Sequence, residues 1–187
     1  MLKKVTSLIL AGVMALSLAA CGGNGGNGGT PSAEPTPAPL SINLTEFYEE
    51  MFNTVFPDPD NSPSMMALEG DMLAQAYPGL ADIETKQCLV YAPMITAVAY
   101  EIALVEVADA ADVQAVKDIF QARIDTQIES GAFYPATVEA WQNQSHIVDR
   151  ENYVALFVGE DSDQMVELFN AAGAADAGEA ASETPAE

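Results

Sequence analysis

The stretch that decides the fold is residues 97–107, AVAYEIALVEV, where the side chains alternate in size. Successive side chains of a β-strand point to opposite faces of the sheet, so a period of two is typical of a strand. The run is also rich in β-branched and aromatic residues, which favour strands. The larger side chains share one face, which we expect to pack against helices: Val98, Tyr100, Ile102 and Leu104. The other face carries Ala97, Ala99, Glu101 and Ala103.

The neighbouring sequence completes a ββα unit around this strand. Residues 86–93, KQCLVYAP, predict a second strand before it. Residues 109–131 predict a long helix after it, because apolar residues recur at helical spacing on one stripe. Gly131 stands where a helix-terminating glycine is common.

A second ββα unit follows a polar connection, residues 132–144. The strand-like runs SHIVDR, residues 145–150, and YVALFVG, residues 153–159, are separated by Glu151–Asn152, which predicts a two-residue hairpin. Residues 161–172, DSDQMVELFNAA, predict a closing helix. Two strand pairs argue against a parallel sheet, which needs a crossover between single strands.

Two helices are predicted before these units, over residues 43–56 and 64–77, because their apolar residues also recur at helical spacing. Asn43 or Thr45 can cap the first helix, and Ser64 can cap the second. The predicted fold is therefore α+β: two N-terminal helices, then an antiparallel sheet of about four strands with helices mainly on one face.

The N-terminus has the order of an export signal, since Lys3 and Lys4 precede an apolar run that ends at Ala20. This run is too short to span a bilayer, which takes about 20 apolar residues. The sequence LAAC, residues 18–21, resembles the lipobox of bacterial lipoprotein signal peptides. The resemblance implies cleavage before Cys21 and attachment of a diacylglyceryl group to its sulfur, with further acylation such as palmitate giving stable anchoring at the extracytoplasmic face of the cell membrane.

The rest of the chain divides by composition. Residues 21–39 are rich in Gly, Asn and Pro and predict a tether, residues 40–171 predict one domain, and residues 172–187 predict an acidic, disordered tail. Beyond Cys21 only four basic residues stand against 28 acidic ones, a formal charge of −24. This charge excludes nucleic acid as a partner, because binding to phosphates depends on Lys and Arg.

A second resemblance covers about residues 44–169. The strand pair, the helix DVQAVKDIFQARIDTQ, the FYP turn and the segment SHIVDRENYVALFVGEDSDQMVELF are similar to a family of small lipoproteins from Gram-positive, chiefly clostridial, bacteria. The shared region of that family is a domain of unknown function. The resemblance implies membrane anchoring and supplies no catalytic residue.

One acidic cluster has the spacing of a calcium loop. Asp58, Asp60, Ser62 and Glu69 occupy positions 1, 3, 5 and 12 of an EF-hand window. Pro63, however, stands where that loop needs glycine for its sharp turn. The alternatives are a weak metal site formed by Asp58, Asp60 and Glu69, or a loop between helices that is stiffened by proline.

The other candidates are single residues. Trp141 and Tyr134 lie in the predicted polar connection, where an aromatic side chain can be a binding anchor or can fold back over the sheet. His146 is the only histidine in the sequence, and one histidine is a poor basis for a zinc site or a nucleophilic triad. With Cys21 acylated, Cys88 has no disulfide partner, and we expect it to be a buried apolar residue.

These observations predict a lipoprotein domain held at the membrane by Cys21, without a cofactor, that binds an extracytoplasmic protein or ligand or supports the envelope. The Gly-rich run neither follows a strand nor opens a helix, so it lacks the context of a dinucleotide site. Two alternatives remain open. One is a hydrolase that uses paired carboxylates on envelope polymers, and the other is a cation-binding module.

Overall fold

The computed structural model describes residues 39–95, 97–130 and 134–173. These residues form five α-helices and one five-stranded sheet. In chain order the elements are α1 Leu44–Val55, β1 Met65–Ala67, α2 Gly70–Ala76, β2 Thr85–Pro93, β3 Glu101–Val107, α3 Val113–Ser130, α4 Pro135–Asn143, β4 Ser145–Arg150, β5 Tyr153–Val158 and α5 Ser162–Ala171. Short 3₁₀ turns span Pro59–Asn61, Leu80–Asp82 and Ala110–Asp112.

The sheet is antiparallel throughout, with the strand order β1-β2-β3-β5-β4. The α+β class and the two successive ββα units are confirmed. The predicted hairpin is also confirmed: β4 and β5 are joined by Glu151–Asn152, and Glu151 adopts a φ of 50°. In the centre of the sheet β3 pairs with both β2 and β5.

The sheet has five strands where about four were predicted, and the strand that was not predicted is β1. We expected a helix to begin at Ser64, but Met65–Ala67 pairs with the end of β2, Met65 opposite Pro93 and Ala67 opposite Tyr91. The helix begins only at Gly70. Helical spacing of apolar residues was therefore misleading here, because the hydrogen bonds to a distant strand outweigh the local preference.

Helices cover both faces of the sheet, so the prediction that they lie mainly on one face was wrong. On one face α2, α3 and α4 pack on the sheet, and on the other face α1 and α5 do. The reason is visible in β3 and β5, whose residues are all buried. Both faces of these strands carry apolar side chains, so each face needs its own cover of helices.

Local signals explain where several helices begin. The Asn43 side chain accepts hydrogen bonds from the backbone N–H groups of Thr45 and Glu46, which confirms Asn43 as the cap of α1. Pro135 occupies the first turn of α4, where its fixed φ and missing N–H cost little. Residues 132–144 were predicted as a connection, so α4 corrects that prediction. No helix in the described part of the chain is long and apolar enough to cross a bilayer.

Candidate functional site

The sheet has two distinct ends. At one end, here named the Met94 end, lie Pro93, Glu101 and Val158, and the β2–β3 connection begins there with Met94. At the opposite end, named the Leu40 end, lie Thr85, Val107, Arg150 and Tyr153. The backbone N–H of Leu40 donates to the Glu151 carboxylate at 3.1 Å, so the chain enters the described domain at this second end.

A buried ion pair marks the Met94 end. Glu101, the first residue of β3, is 1% exposed and faces the side of the sheet covered by α3. Arg123 of α3 donates from Nε and Nη2 to the two Glu101 carboxylate oxygens, each at 2.8 Å. The Tyr77 hydroxyl also donates to Glu101. Glu101 is thus held by three charge-assisted hydrogen bonds, the strongest class in proteins.

Two aromatic rings flank the Arg123 guanidinium. Its central carbon lies 5.5 Å from the centroid of the Tyr77 ring and 5.8 Å from that of the Trp141 ring. Both distances are within the range of cation–π attraction. Of the two alternatives for Trp141, the structure shows the ring folded back over the sheet and not exposed: Trp141 is 3% exposed and packs in the core from the inner side of α4.

The ionisation of this cluster is fixed by its surroundings. Burial lowers the pKa of Arg123, but the hydrogen bonds and the charge of Glu101 outweigh burial and leave the Arg123 pKa above its ordinary value. Burial, together with the nearby Glu101 carboxylate, raises the pKa of Tyr77 well above its ordinary value. Tyr77 therefore stays a neutral donor and Arg123 stays a cation at physiological pH.

A cavity of about 160 Å³ lies beside the ion pair. Four lining residues have polar or charged side chains, Glu101, Arg123, Gln127 and Thr137, and the apolar lining includes Trp141, Val98 and Pro93. Tyr100 also lines the cavity, and its hydroxyl donates to Asp161. Among the described residues, neither Gln127 nor Thr137 forms a side-chain hydrogen bond. The cavity therefore combines apolar walls with two polar side chains that no described residue pairs with.

A larger cavity of about 460 Å³ adjoins it, since Pro93 and Val98 line both. Met94 and Ile95 line the larger cavity and are 65% and 62% exposed, the two most exposed large apolar side chains in the described part of the chain. The Met94 end thus carries an exposed apolar patch of Met94 and Ile95, here named the Met94 patch, next to a cavity with polar groups, the combination that ligand-binding surfaces share.

One family profile matches residues 58–159, and its description is "Domain of unknown function (DUF4358)". The match covers more than half of the 187-residue chain. The chain belongs to the DUF4358 family. The matched DUF4358 region contains the ion pair, Trp141 and the Met94 patch, whereas α1 and α5 lie outside it. No curated protein and no solved structure matches the chain significantly.

The DUF4358 region begins with the acidic cluster, which the structure does not gather into a metal site. Asp58 accepts hydrogen bonds from the Asp60 N–H at 3.1 Å and from the Asn61 side chain at 2.6 Å, so it caps a 3₁₀ turn. Glu69 lies beyond β1, just before α2. The described residues contain no group of three or more His, Cys, Asp or Glu side chains placed to hold a metal ion.

The other predicted residues that the structure describes do not line the two cavities at the Met94 end. Tyr134 precedes α4 and is 49% exposed. His146 of β4 lies 3.1 Å from the exposed Asp163. Cys88 of β2 is partly buried against the core, and burial raises the pKa of its thiol, as expected of an unreactive cysteine. Cys21 lies outside the described residues, as do the predicted signal peptide, most of the tether and the tail from residue 174.

Sequence reasoning missed Arg123 as a site residue. Arg123 lies three residues after Phe120 and seven after Val116, both buried, so helical spacing places it on the inner stripe of α3. A lone arginine at such a position needs a buried partner. This spacing could have identified Arg123 from the sequence. The topology alone identifies its partner among the 28 acidic residues.

Each of the four basic side chains in the described residues forms an ion pair or a hydrogen bond. Lys86 pairs with Glu106 and Lys117 with Asp149, in addition to Arg123 with Glu101. Arg150 donates to the backbone oxygens of Phe169 and Ala172 at the C-terminal end of α5, where a cation is favourable. Within the described domain, most acidic side chains therefore remain without a basic partner.

Proposed function

We propose that this DUF4358 protein is a lipid-anchored extracytoplasmic binding module that recognises its partner with the Met94 end. The lipobox-like sequence ending at Cys21 supports the anchor, and the exposed patch at Met94 and Ile95 supports recognition. The function is binding, and the partner is a protein or other ligand of the cell envelope.

The observation that carries this proposal is the separation of the two ends. The chain enters the domain at Leu40, whereas the exposed apolar residues and both cavities lie at the far end of β2. The nine residues of β2 span about 30 Å at the rise of an extended strand. A domain attached at Leu40 can therefore hold the Met94 patch free of its own attachment point.

The charge of the domain indicates which class of partner it can bind. The acidic surface and the engaged basic side chains disfavour anionic partners, including anionic lipid headgroups. Neutral or basic partners are favoured. The exposed apolar pair Met94 and Ile95 suits contact with apolar side chains, since large apolar residues exposed together mark interaction sites.

The carboxylate-hydrolase alternative gains no support from the described cavities. Glycoside hydrolysis needs two carboxyl groups that flank one bond. The smaller cavity at the Met94 end contains one carboxylate, Glu101, which already accepts from Arg123 and Tyr77, and the larger one contains none. We therefore keep binding as the proposed function.

Metabolic labelling with a clickable fatty acid tests the anchor. We expect wild-type protein to incorporate the label, Cys21→Ser to lose both label and membrane attachment, and the matched control Cys88→Ser to keep both. Label retained in Cys21→Ser would show that the anchor assignment is wrong.

In-cell photo-crosslinking tests recognition at the Met94 end. A photoreactive amino acid is placed at Ile95 and, as a control at the Leu40 end, at the exposed Asp82. We expect a discrete adduct at position 95 that is absent at position 82. Equal crosslinking at both positions, or none at position 95, would contradict the proposal.

A further inference from the structure

We infer that the smaller cavity at the Met94 end binds an uncharged amide group of a polypeptide, and that the neighbouring Met94 patch takes an adjacent apolar side chain. This inference rests on the proposed binding function and names the chemistry of its ligand. It follows from the hydrogen-bonding groups, the charge and the size of the cavity.

The cavity offers both hydrogen-bond donors and acceptors. A guanidinium has five N–H donors, and Arg123 uses one on Nε and one on Nη2 for Glu101. Neither of these two bonds uses Nη1, and Nη1 is not a fully buried atom without a partner. Gln127 contributes an amide with both donor and acceptor character, and Thr137 contributes a hydroxyl with both. A ligand amide, which has one N–H and one C=O, complements such a set.

The charges at the cavity cancel. Glu101 and Arg123 neutralise each other, so the cavity carries no net charge. A ligand carboxylate would be repelled by Glu101 and by the strongly acidic surface, and a ligand ammonium would be repelled by Arg123. An uncharged group avoids both repulsions and still gains hydrogen bonds, which neutral donors and acceptors can make in a partly buried site.

The cavity is small. A volume of about 160 Å³ is below the roughly 300–1,000 Å³ typical of pockets that enclose a whole small molecule. The cavity therefore takes one group of a larger ligand, and the rest must extend into the adjoining cavity. Met94 and Ile95 there offer apolar contact, which suits an aliphatic side chain better than the hydroxyls of a sugar. A peptide segment meets both requirements.

Trp141 provides the assay, because it is the only tryptophan of the chain and lines this cavity. The full-length protein is titrated with N-acetyl-leucinamide, with N-acetyl-leucine as its carboxylate counterpart, and with N-acetylglucosamine, an amide carried on a sugar. We expect a saturable change in Trp141 fluorescence with N-acetyl-leucinamide, in the millimolar range suited to one small group. Binding of the carboxylate should be at least about tenfold weaker, since its C-terminal group lacks both N–H donors of the amide and adds a repulsion.

Matched variants locate the binding. Gln127→Leu and Thr137→Val should each weaken N-acetyl-leucinamide about fivefold to tenfold, the effect of one hydrogen bond. Gln121→Leu, on the same helix but paired with Asp125 on the exposed side, should change nothing. Circular dichroism confirms that each variant is folded.

Several results would overturn the inference: no saturable change, equal affinity for the carboxylate, tighter binding of N-acetylglucosamine, or equal weakening by Gln121→Leu. These failures are distinguishable from failure of the proposed function. A discrete crosslink at Ile95 would still support a binding module even if the cavity took no amide.

Discussion

Replacing Arg123 by methionine tests whether the buried ion pair holds the Met94 end together. The substitution keeps an unbranched but shorter, apolar side chain and removes both hydrogen bonds to Glu101, whose side chain is 2% exposed. Glu101 would keep only the Tyr77 hydroxyl as a donor. Removing one partner of a buried pair typically costs about 3–5 kcal/mol, because the remaining charge is uncompensated. This is a large fraction of the roughly 5–15 kcal/mol that stabilises a domain.

The double variant Arg123→Met with Glu101→Leu separates charge from shape. It removes the uncompensated carboxylate and leaves one main cost, the unpaired Tyr77 hydroxyl, which is about 1–3 kcal/mol. We therefore expect the double variant to be more stable than Arg123→Met alone. Lys117→Met on the same helix is the control, because its partner Asp149 is exposed and such pairs contribute at most about 1 kcal/mol.

Urea unfolding followed by far-UV circular dichroism measures these differences in the free energy of unfolding. A buried, organising ion pair would be refuted if Arg123→Met cost less than about 1 kcal/mol, or if the double variant lost as much as the sum of its two single substitutions. Either result would mean that the pair is solvated in solution and does not organise the cavity.

Three further predictions concern other parts of the domain. Gly159→Ala should cost about 2 kcal/mol or more in calorimetry, because φ is 131° and a Cβ atom would overlap the Tyr100 ring. Cys88→Ala should cost about 1 kcal/mol, and thiol titration of the folded protein should be slow, since burial raises the thiol pKa. Burial opposes the Glu106 charge, but hydrogen bonds, including one from Lys86, leave the Glu106 pKa lowered. The stability that Glu106 contributes is therefore present above the pKa of its unfolded state and is lost as pH falls through the lower pKa of its folded state. Glu106→Gln should make the free energy of unfolding depend less on pH in the acidic range.

Elements with a strong period in sequence were predictable. The helices α1, α3 and α5 and the β4–β5 hairpin follow from apolar spacing, from Asn43 as a cap and from a two-residue turn. The strand β1 was not predictable in this way. It has only three residues, and what makes it a strand is its register with Tyr91–Pro93, far along the chain.

The candidate site was less predictable than the fold. Trp141 was placed in a polar connection because the sequence around it is polar, but Pro135 starts a short helix whose inner side carries the ring into the core. Glu101 lies in an apolar strand, and its partner Arg123 is 22 residues away on a helix. Only the topology, which places α3 across the first residue of β3, joins them.

The most direct test of the central claim is cysteine accessibility in intact cells. In a Cys88→Ala background, Ile95→Cys at the Met94 end and Asp82→Cys at the Leu40 end are treated with a membrane-impermeant maleimide. We predict that both react without lysis, and that Ile95→Cys reacts several-fold more slowly in cells than as purified protein, while Asp82→Cys reacts at the same rate in both. Reaction only after lysis, or an equal ratio of rates at the two positions, would contradict a membrane-anchored module that binds its partner through the Met94 end.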